Sequence, residues 1–384
     1  MNNRNIVNPD LEFIRRLKNL GGDSVKKCFQ CAACSGVCSI SPDENPFPRK
    51  EMLWAQWGLK DRLLSSPDIW LCHQCNDCSR HCPRESNPAD LLAALRQYTI
   101  ANYAFPRPLA RAMERLAYLP ILLAVPVLLL LVDLWIRGRL DIPTGDVLFL
   151  EFFPHFHIAL IFLTAAAFAV IMTAVGVGRF WERINMHFPG DRIRNGKSVG
   201  SSLLATGVEI LSHSRLGECK ENRPMHLGHL AIFYGFLACF FSAFAMFLGV
   251  HILEAEVSRD FFSPLKILGN LGGALLLVGC VLILFNRLWP GKNKTRSQYR
   301  DWFLPLNLFV VTLTGFLAEA FRLMELSTGA YSVYFLHLVF IFLLVCYLPY
   351  SKLAHIAYRT VAIIHSKLFG RYEVDSKTAW RTGG

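Results

Sequence analysis

Hydrophobic and polar positions are distributed very unevenly along this chain. The first hundred residues are mostly polar. Six long apolar stretches follow, near residues 116–136, 155–179, 226–249, 264–286, 302–323 and 331–349. Each is close to the length of about 20 residues with which a helix crosses the hydrocarbon core of a bilayer. The pattern predicts a polar N-terminal domain followed by six transmembrane helices.

The polar region has helical rather than strand periodicity. Leu11, Ile14 and Leu17 form an apolar stripe behind Asn8-Pro9, which predicts a short amphipathic helix that begins there. Further helices are expected over about 50–64 and 88–102. No segment alternates as a half-buried strand does. We therefore predict an all-α chain.

Charge and composition indicate where the chain resides. Its net charge of +11 over 384 residues could suit a nucleic-acid binder, but no basic and aromatic patch is present, so no nucleic-acid partner is expected. The loops after the second and fourth apolar stretches are basic, and those after the third and fifth are mainly acidic. The positive-inside rule then predicts a multi-pass protein of the cytoplasmic membrane with both termini in the cytoplasm.

The cysteines are concentrated in the N-terminal region. Eight of the twelve lie between residues 28 and 82, and charges interrupt residues 1–30 so that no secretory signal is visible. Thiols stay reduced in the cytoplasm, where such clustering indicates metal binding rather than disulfides.

The eight clustered cysteines form two runs with the spacing Cys-x2-Cys-x2-Cys-x3-Cys, which is typical of two-cluster ferredoxins. In that arrangement the fourth cysteine of each run reaches across to the other cluster. We assign one 4Fe-4S cluster to Cys28, Cys31, Cys34 and Cys82, and the other to Cys72, Cys75, Cys78 and Cys38. Structural zinc is the alternative, but it would normally use separated Cys-x2-Cys pairs. One departure from the motif is that Pro83 follows Cys82, whereas Ser39 follows Cys38.

Two histidines in the last apolar stretch suggest a second kind of cofactor. If one helix continued past Pro349, His337 and His355 would lie five whole turns apart on the same face, separated by about 27 Å. That interval is about one bilayer thickness. The pair would therefore offer one haem ligand near each membrane surface.

Other histidines lie at matching depths. His226 and His229 open the third apolar stretch on the cytoplasmic side, level with His355, and His155 and His157 open the second on the outer side, level with His337. Ionisable side chains at membrane depth usually mark function. Paired imidazoles at two levels predict two bis-histidine haems b, although a lone histidine in an apolar helix is more often a packed residue.

The membrane part resembles the dihaem cytochrome b (gamma) subunit of respiratory nitrate reductase. The similarity rests on His226-Leu-Gly, Gly235, His337-Leu-Val and the segment from Pro349 to His355. It implies that His226 and His355 ligate the haem on the cytoplasmic side. The family's other pair would fall on His337 and on the residue after Gly235, which is Phe236 here. We hypothesise that His157, or else His155, replaces that missing partner, and we prefer His157 because it lies deeper.

The first hundred residues are similar to the iron-sulfur C subunit of heterodisulfide reductase. Joined to a six-span cytochrome b, they resemble the membrane-embedded C subunit of quinone-interacting membrane-bound oxidoreductase complexes of sulfate reducers. The resemblance implies menaquinone as membrane substrate and two soluble flavin and iron-sulfur subunits as partners. Adenylylsulfate reductase would lie beyond them. No G-x-G-x-x-G fingerprint is present, so flavin or nicotinamide chemistry would belong to another subunit.

These inferences predict four regions and one function. A helical two-cluster ferredoxin-like domain (1–103) is followed by a basic linker (104–115), a six-helix transmembrane cytochrome b bundle (116–365) and a cytoplasmic tail (366–384). We expect electrons to pass between menaquinol and the soluble subunits of a quinone-linked oxidoreductase. The alternatives are the membrane module of a heterodisulfide reductase-like complex, and a non-catalytic anchor with structural clusters.

Overall fold

Helices form all the regular structure in the described part of the chain. The computed structural model describes residues 8–42, 45–187, 198–213, 223–253, 261–289 and 298–369. This confirms the predicted all-α fold. The helices of the N-terminal part are α1 (Leu11–Leu17), α2 (Ala33–Gly36), α3 (Arg49–Gln56), α4 (Lys60–Leu64), α5 (Asp68–Leu71), α6 (Asp77–Arg80) and α7 (Pro88–Tyr103).

A helical bundle follows. Its members are α8 (Arg107–Met113), α9 (Leu119–Ile136), α10 (Phe149–Phe152), α11 (His155–His187), α12 (Val199–Ser212), α13 (Arg223–His251), α14 (Pro264–Leu288), α15 (Tyr299–Leu323), α16 (Ser327–Cys346) and α17 (His355–Leu368). Within the described ranges, six helices are long and apolar enough to cross a membrane, namely α9, α11, α13, α14, α15 and α16. They correspond one by one to the six predicted stretches.

The first helix begins two residues later than predicted. Asp10, rather than Asn8, is the N-cap of α1, and its Oδ1 accepts a hydrogen bond of 2.8 Å from the backbone N–H of Phe13. A carboxylate at this position satisfies a donor that the first turn leaves unpaired.

Helix α11 joins the bundle to the N-terminal domain. Its 33 residues span about 50 Å, well beyond the bilayer core of about 30 Å. The final turns place Phe180 and Ile184 in the same buried core as Trp70. Tyr358 of α17 also lies in this core, where its ring stacks on Trp70 with the centroids 4.9 Å apart. The two regions therefore share one hydrophobic core.

The segment predicted as a linker, residues 104–115, contains α8 and packs against the bundle. Ala110 and Met113 are buried in a cluster with Tyr347 and Tyr350. The Tyr350 hydroxyl donates a hydrogen bond of 2.6 Å to the carbonyl of Phe105.

The helix is interrupted between α16 and α17. The prediction that one continuous helix carries His337 and His355 was therefore wrong. Two 3-10 turns, Leu348–Tyr350 and Lys352–Ala354, separate the helices, and the intervening Ser351 is extended. Pro349 lacks a backbone donor, and Arg300 of α15 donates to the free carbonyl of Tyr350 at 2.5 Å. The two histidines lie on separate helices, and the spacing of five turns on one face does not apply.

Helices α13 and α14 pack with their backbones unusually close. A Cβ added at Gly235 would lie 2.7 Å from the carbonyl oxygen of Gly272, and one at Gly279 would lie 2.8 Å from that of Gly228. Small residues permit this approach between helices.

Several sequence predictions fall on residues outside the described ranges. These include most of the charged loop residues that suggested the orientation, and residues 370–384 of the predicted tail. Below, the end of the bundle that contacts residues 8–103 is called the iron-sulfur side, and the opposite end is called the far side.

Candidate metal centres

The two cysteine runs fold as a structural repeat. Gln30 and Ala32 have positive φ angles of 61° and 68°, and the equivalent Gln74 and Asn76 have 57° and 76°. A one-turn helix, α2 or α6, follows each loop. Residues other than glycine rarely adopt a positive φ. Backbone strain of this kind concentrates at functional sites. The turns direct backbone donors inward, for example from Gln30 to the Cys28 sulfur at 3.4 Å.

The structure brings four thiols from both runs together around one cavity. This first thiol group consists of Cys28, Cys31, Cys34 and Cys82, which is the set expected for one cluster. Arg49 and Arg84 also line the cavity. Cys31 is exposed, so the group lies at the protein surface.

Ser86 stabilises the thiolate form of Cys82. Burial alone would raise the pKa of this thiol, but hydrogen bonds from Ser86, with the backbone N–H groups of Arg84 and Glu85, outweigh it and lower the pKa below its usual range. The Ser86 hydroxyl lies 3.0 Å from the sulfur, and the backbone N–H donates to it at 3.3 Å. Thiolate is the form that binds iron.

The second thiol group consists of Cys38, Cys72, Cys75 and Cys78, and it is more deeply buried than the first. Burial, together with the neighbouring thiols of Cys72 and Cys75, raises the pKa of Cys38 to about 12. Burial also raises the pKa of Cys78 far above its usual range, again with its neighbours contributing. Because metal-bound sulfurs are deprotonated, iron binding here would release protons.

Two arginines, one from the bundle and one from the N-terminal domain, contact the second thiol group. Arg359 of α17 donates to the carbonyl of Cys72 at 3.3 Å, and a second nitrogen of its guanidinium lies 3.1 Å from the His73 ring. Arg96 of α7 donates to the same carbonyl at 2.5 Å and to that of Ile69 at 2.6 Å. Positive charge from two different regions thus converges on one cysteine.

His355 lies one helical turn before Arg359, at the iron-sulfur side. Its Nδ1 is 2.5 Å from the carbonyl oxygen of Lys352. Burial, together with the nearby His229 and Arg359, lowers the pKa of His355 to about 3. A neutral imidazole that donates through Nδ1 leaves Nε2 available, which is the usual state of a metal-bound histidine.

His229 is the α13 histidine whose charge influences His355, and its ring lies 5.5 Å from that of His213. His226, which the resemblance pairs with His355, is three residues earlier on nearly the same face of α13. His226 therefore lies about one turn nearer the start of α13 than His229.

His337 and His157 lie at the same depth in the bundle. Ring contacts of 6.3 Å between Phe153 and Tyr334, and between Phe162 and Phe342, show that α11 and α16 run parallel with these histidines level. The Nδ1 of His337 is 2.9 Å from the carbonyl oxygen of Val311 on α15.

The two candidate partners of His337 each contact a different neighbour. The Nδ1 of His157 lies 2.6 Å from the Asp133 carboxylate of α9, an arrangement that leaves Nε2 available as a ligand. The ring of His155 lies 6.0 Å from that of His251. Among the described residues, no ring contact joins His337 to His155 or His157.

The structure gives new information about three residues near the candidate sites. Phe236, at the position where the resemblance requires histidine, packs against the buried apolar cluster of Cys280, Leu308 and Leu344. Asp133 was missed, although an acid within an apolar stretch is a recognisable signal. Arg359 carried no sequence signal, because its partners are almost 300 residues away.

Comparisons with known proteins match both parts of the chain. The family model of a 4Fe-4S dicluster domain matches residues 24–86, and the model described as citrate utilization protein B matches residues 108–374. Citrate utilization protein B of Escherichia coli is 28% identical over 358 residues, which cover 88% of each chain.

Two archaeal proteins are similar to the N-terminal part. The C subunit of the H(2):CoB-CoM heterodisulfide,ferredoxin reductase of Methanothermobacter marburgensis is 36% identical over 107 residues, which are 28% of this chain and 57% of the relative. An iron-sulfur C subunit of the CoB-CoM heterodisulfide reductase of Methanocaldococcus jannaschii is 33% identical over 147 residues, 37% of this chain and 74% of the relative. The chain thus spans little more than half of the first relative. No solved structure matches the chain.

Proposed function

Because the chain belongs to the citrate utilization protein B family and carries a heterodisulfide reductase C-type iron-sulfur module at its N-terminus, we propose that it is an electron-transfer subunit of a membrane-bound oxidoreductase. The predicted fusion of such a module to a membrane-type helical region is confirmed. Bound iron-sulfur clusters and haems would supply carriers of single electrons. The residues of the chain hold these carriers at fixed positions and set their surroundings.

The observation that carries this proposal is the junction at α17. Arg359 contacts the backbone of Cys72, and His355 lies one turn away on the same helix. Tyr358, between them, stacks on Trp70 of the iron-sulfur domain. Helix α17 would therefore hold both Cys72, a ligand of the second cluster, and His355, a ligand of a haem. Electron transfer between two centres requires such fixed positions.

The ligand assignments follow the geometry of the side chains. We propose that the first and second thiol groups each hold one 4Fe-4S cluster. The haem on the iron-sulfur side would be bound by His355 with His226, and the other by His337 with His157 or His155. The Nδ1 contacts of His337, His355 and His157 support this, because each leaves Nε2 available.

The membrane substrate and the partners of transfer are inferred from the resemblance. We propose menaquinol or menaquinone as the membrane substrate, the iron-sulfur side as cytoplasmic, and two soluble flavin and iron-sulfur subunits as partners, with adenylylsulfate reductase beyond them. The exposure of Cys31 and of Phe29, which is 68% exposed, supports access of a soluble partner to the first thiol group.

A redox titration of the purified full-length protein tests the proposal. Optical spectra should show b-type haem reduced by a menaquinol analogue, and paramagnetic resonance should show two cluster signals. His355→Ala should remove one haem signal, whereas His365→Ala, a change to another buried histidine of the same helix, should remove none. A purified wild-type protein without a pyridine haemochrome would instead indicate the non-catalytic anchor.

A further inference from the structure

A polar cavity of about 450 Å³ lies where the iron-sulfur domain meets the bundle. Its walls come from α4, α7, the start of α8 and the end of α11. Four basic residues line it, together with two acidic ones. They are Lys60, Arg107, Arg179, Arg183, Asp61 and Glu182. The cavity is therefore positively charged overall.

The cavity lies at the depth of lipid headgroups on the iron-sulfur side. Arg179 and Arg183 stand one turn apart near the end of α11, about 36 and 42 Å along the helix from His155. The bilayer core is about 30 Å thick. If α11 enters the membrane near His155, these two guanidiniums stand just beyond the hydrocarbon boundary.

The surroundings of the cavity are suited to an amphiphile. Arg179 is held in place, since it donates to the Tyr103 carbonyl at 2.9 Å and lies 5.7 Å from the centre of the Phe105 ring. Phe105 and Met186 are 49% and 52% exposed, which leaves apolar surface next to the charged lining. Lys60 is paired with Asp10 at 3.3 Å, and the other three basic residues of the lining are arginines.

We propose that this cavity binds the phosphate headgroup of an anionic phospholipid from the leaflet on the iron-sulfur side. Guanidinium groups bind phosphate oxygens through paired hydrogen bonds. Basic pockets at the cytoplasmic ends of transmembrane helices are suited to anionic headgroups. A zwitterionic lipid would place its own cation among the arginines. The proposal depends on membrane insertion, and it does not depend on which residues bind haem or clusters.

Lipid retention by the full-length protein tests the site. The protein is exchanged into nanodiscs of mixed phosphatidylglycerol and phosphatidylcholine, and the lipids that remain after delipidation are counted by native mass spectrometry. Arg107→Gln with Arg183→Gln should weaken retention of phosphatidylglycerol about 30-fold, the scale of two basic contacts. The matched control is Arg139→Gln, an exposed arginine on the far side, which should change nothing.

Further variants and measurements distinguish the possible causes of a change in lipid retention. Arg107→Lys with Arg183→Lys keeps the charge and should retain most of the lipid, and cluster and haem spectra should stay unchanged in every variant. Loss of those spectra together with the lipid would mean that the arginines act on folding. Equal retention of phosphatidylcholine, an equal effect of Arg139→Gln, or displacement of the lipid by inorganic phosphate at low concentration would overturn the proposal.

Discussion

Replacing Arg359 with glutamine should lower the reduction potential of the cluster in the second thiol group and leave the other cluster nearly unchanged. The guanidinium lies 3.3 Å from the Cys72 carbonyl. Its positive charge favours the more negative, reduced state of a cluster bound there. Glutamine is polar but shorter and carries no charge, so the reduced state loses that stabilisation.

The size of the shift follows from Coulomb's law. A unit charge about 8 Å from the cluster, in an effective dielectric of about 20, contributes about 2 kcal/mol. Because Arg359 is only half-buried, solvent screening reduces this contribution to about 1 kcal/mol. For a one-electron couple, that free energy corresponds to a potential lower by about 40 mV.

The assay is a redox titration of the whole protein, monitored by paramagnetic resonance so that the two cluster signals are resolved. Arg359→Lys keeps the charge and should retain most of the potential. The matched control is Arg84→Gln. This guanidinium lies 4.1 Å from the centre of the Phe29 ring beside the first thiol group. The change should therefore lower only the reduction potential of the cluster in the first thiol group. Equal shifts of both clusters in Arg359→Gln, or equal effects of lysine and glutamine, would refute the electrostatic reasoning.

Three further changes test other parts of the structure. Trp70→Ala should destabilise the core shared by the two regions by about 3–5 kcal/mol, measured by denaturant unfolding in detergent, because a fully buried indole is lost. Ser86→Ala removes a hydroxyl 3.0 Å from the Cys82 sulfur and should lower the potential of the first cluster alone in the same redox titration. Asp133→Asn should weaken haem retention about 10–100-fold, measured as pyridine haemochrome, if His157 is the partner of His337.

Each of these changes has its own control or contrary outcome. Trp57→Ala removes an indole that is 52% exposed, and its unfolding free energy should change much less than that of Trp70→Ala. A shift of both cluster potentials in Ser86→Ala would contradict a local effect on Cys82. Unchanged haem retention in Asp133→Asn would favour His155 as the ligand.

The break after α16 changes how the two regions are connected. A helix that continued straight past Pro349 would carry His355 and Tyr358 away along the bundle axis. The turns at 348–354 instead redirect α17, whose Tyr358 and Ile363 enter the core that also contains Trp70. The iron-sulfur domain therefore rests on α17 and on the end of α11.

The sequence by itself determined the six long apolar helices and the two cysteine loops. Helix lengths are set by the hydrophobic runs, and the cysteine loops follow from their own spacing and backbone turns, so both are local properties. Only the tertiary structure decided the break before His355 and the contacts of Arg359. Arg300 satisfies the carbonyl of Tyr350 from another helix, and Cys72 lies 287 residues from Arg359. Such contacts leave no local pattern, because they depend on which distant segments the fold brings together.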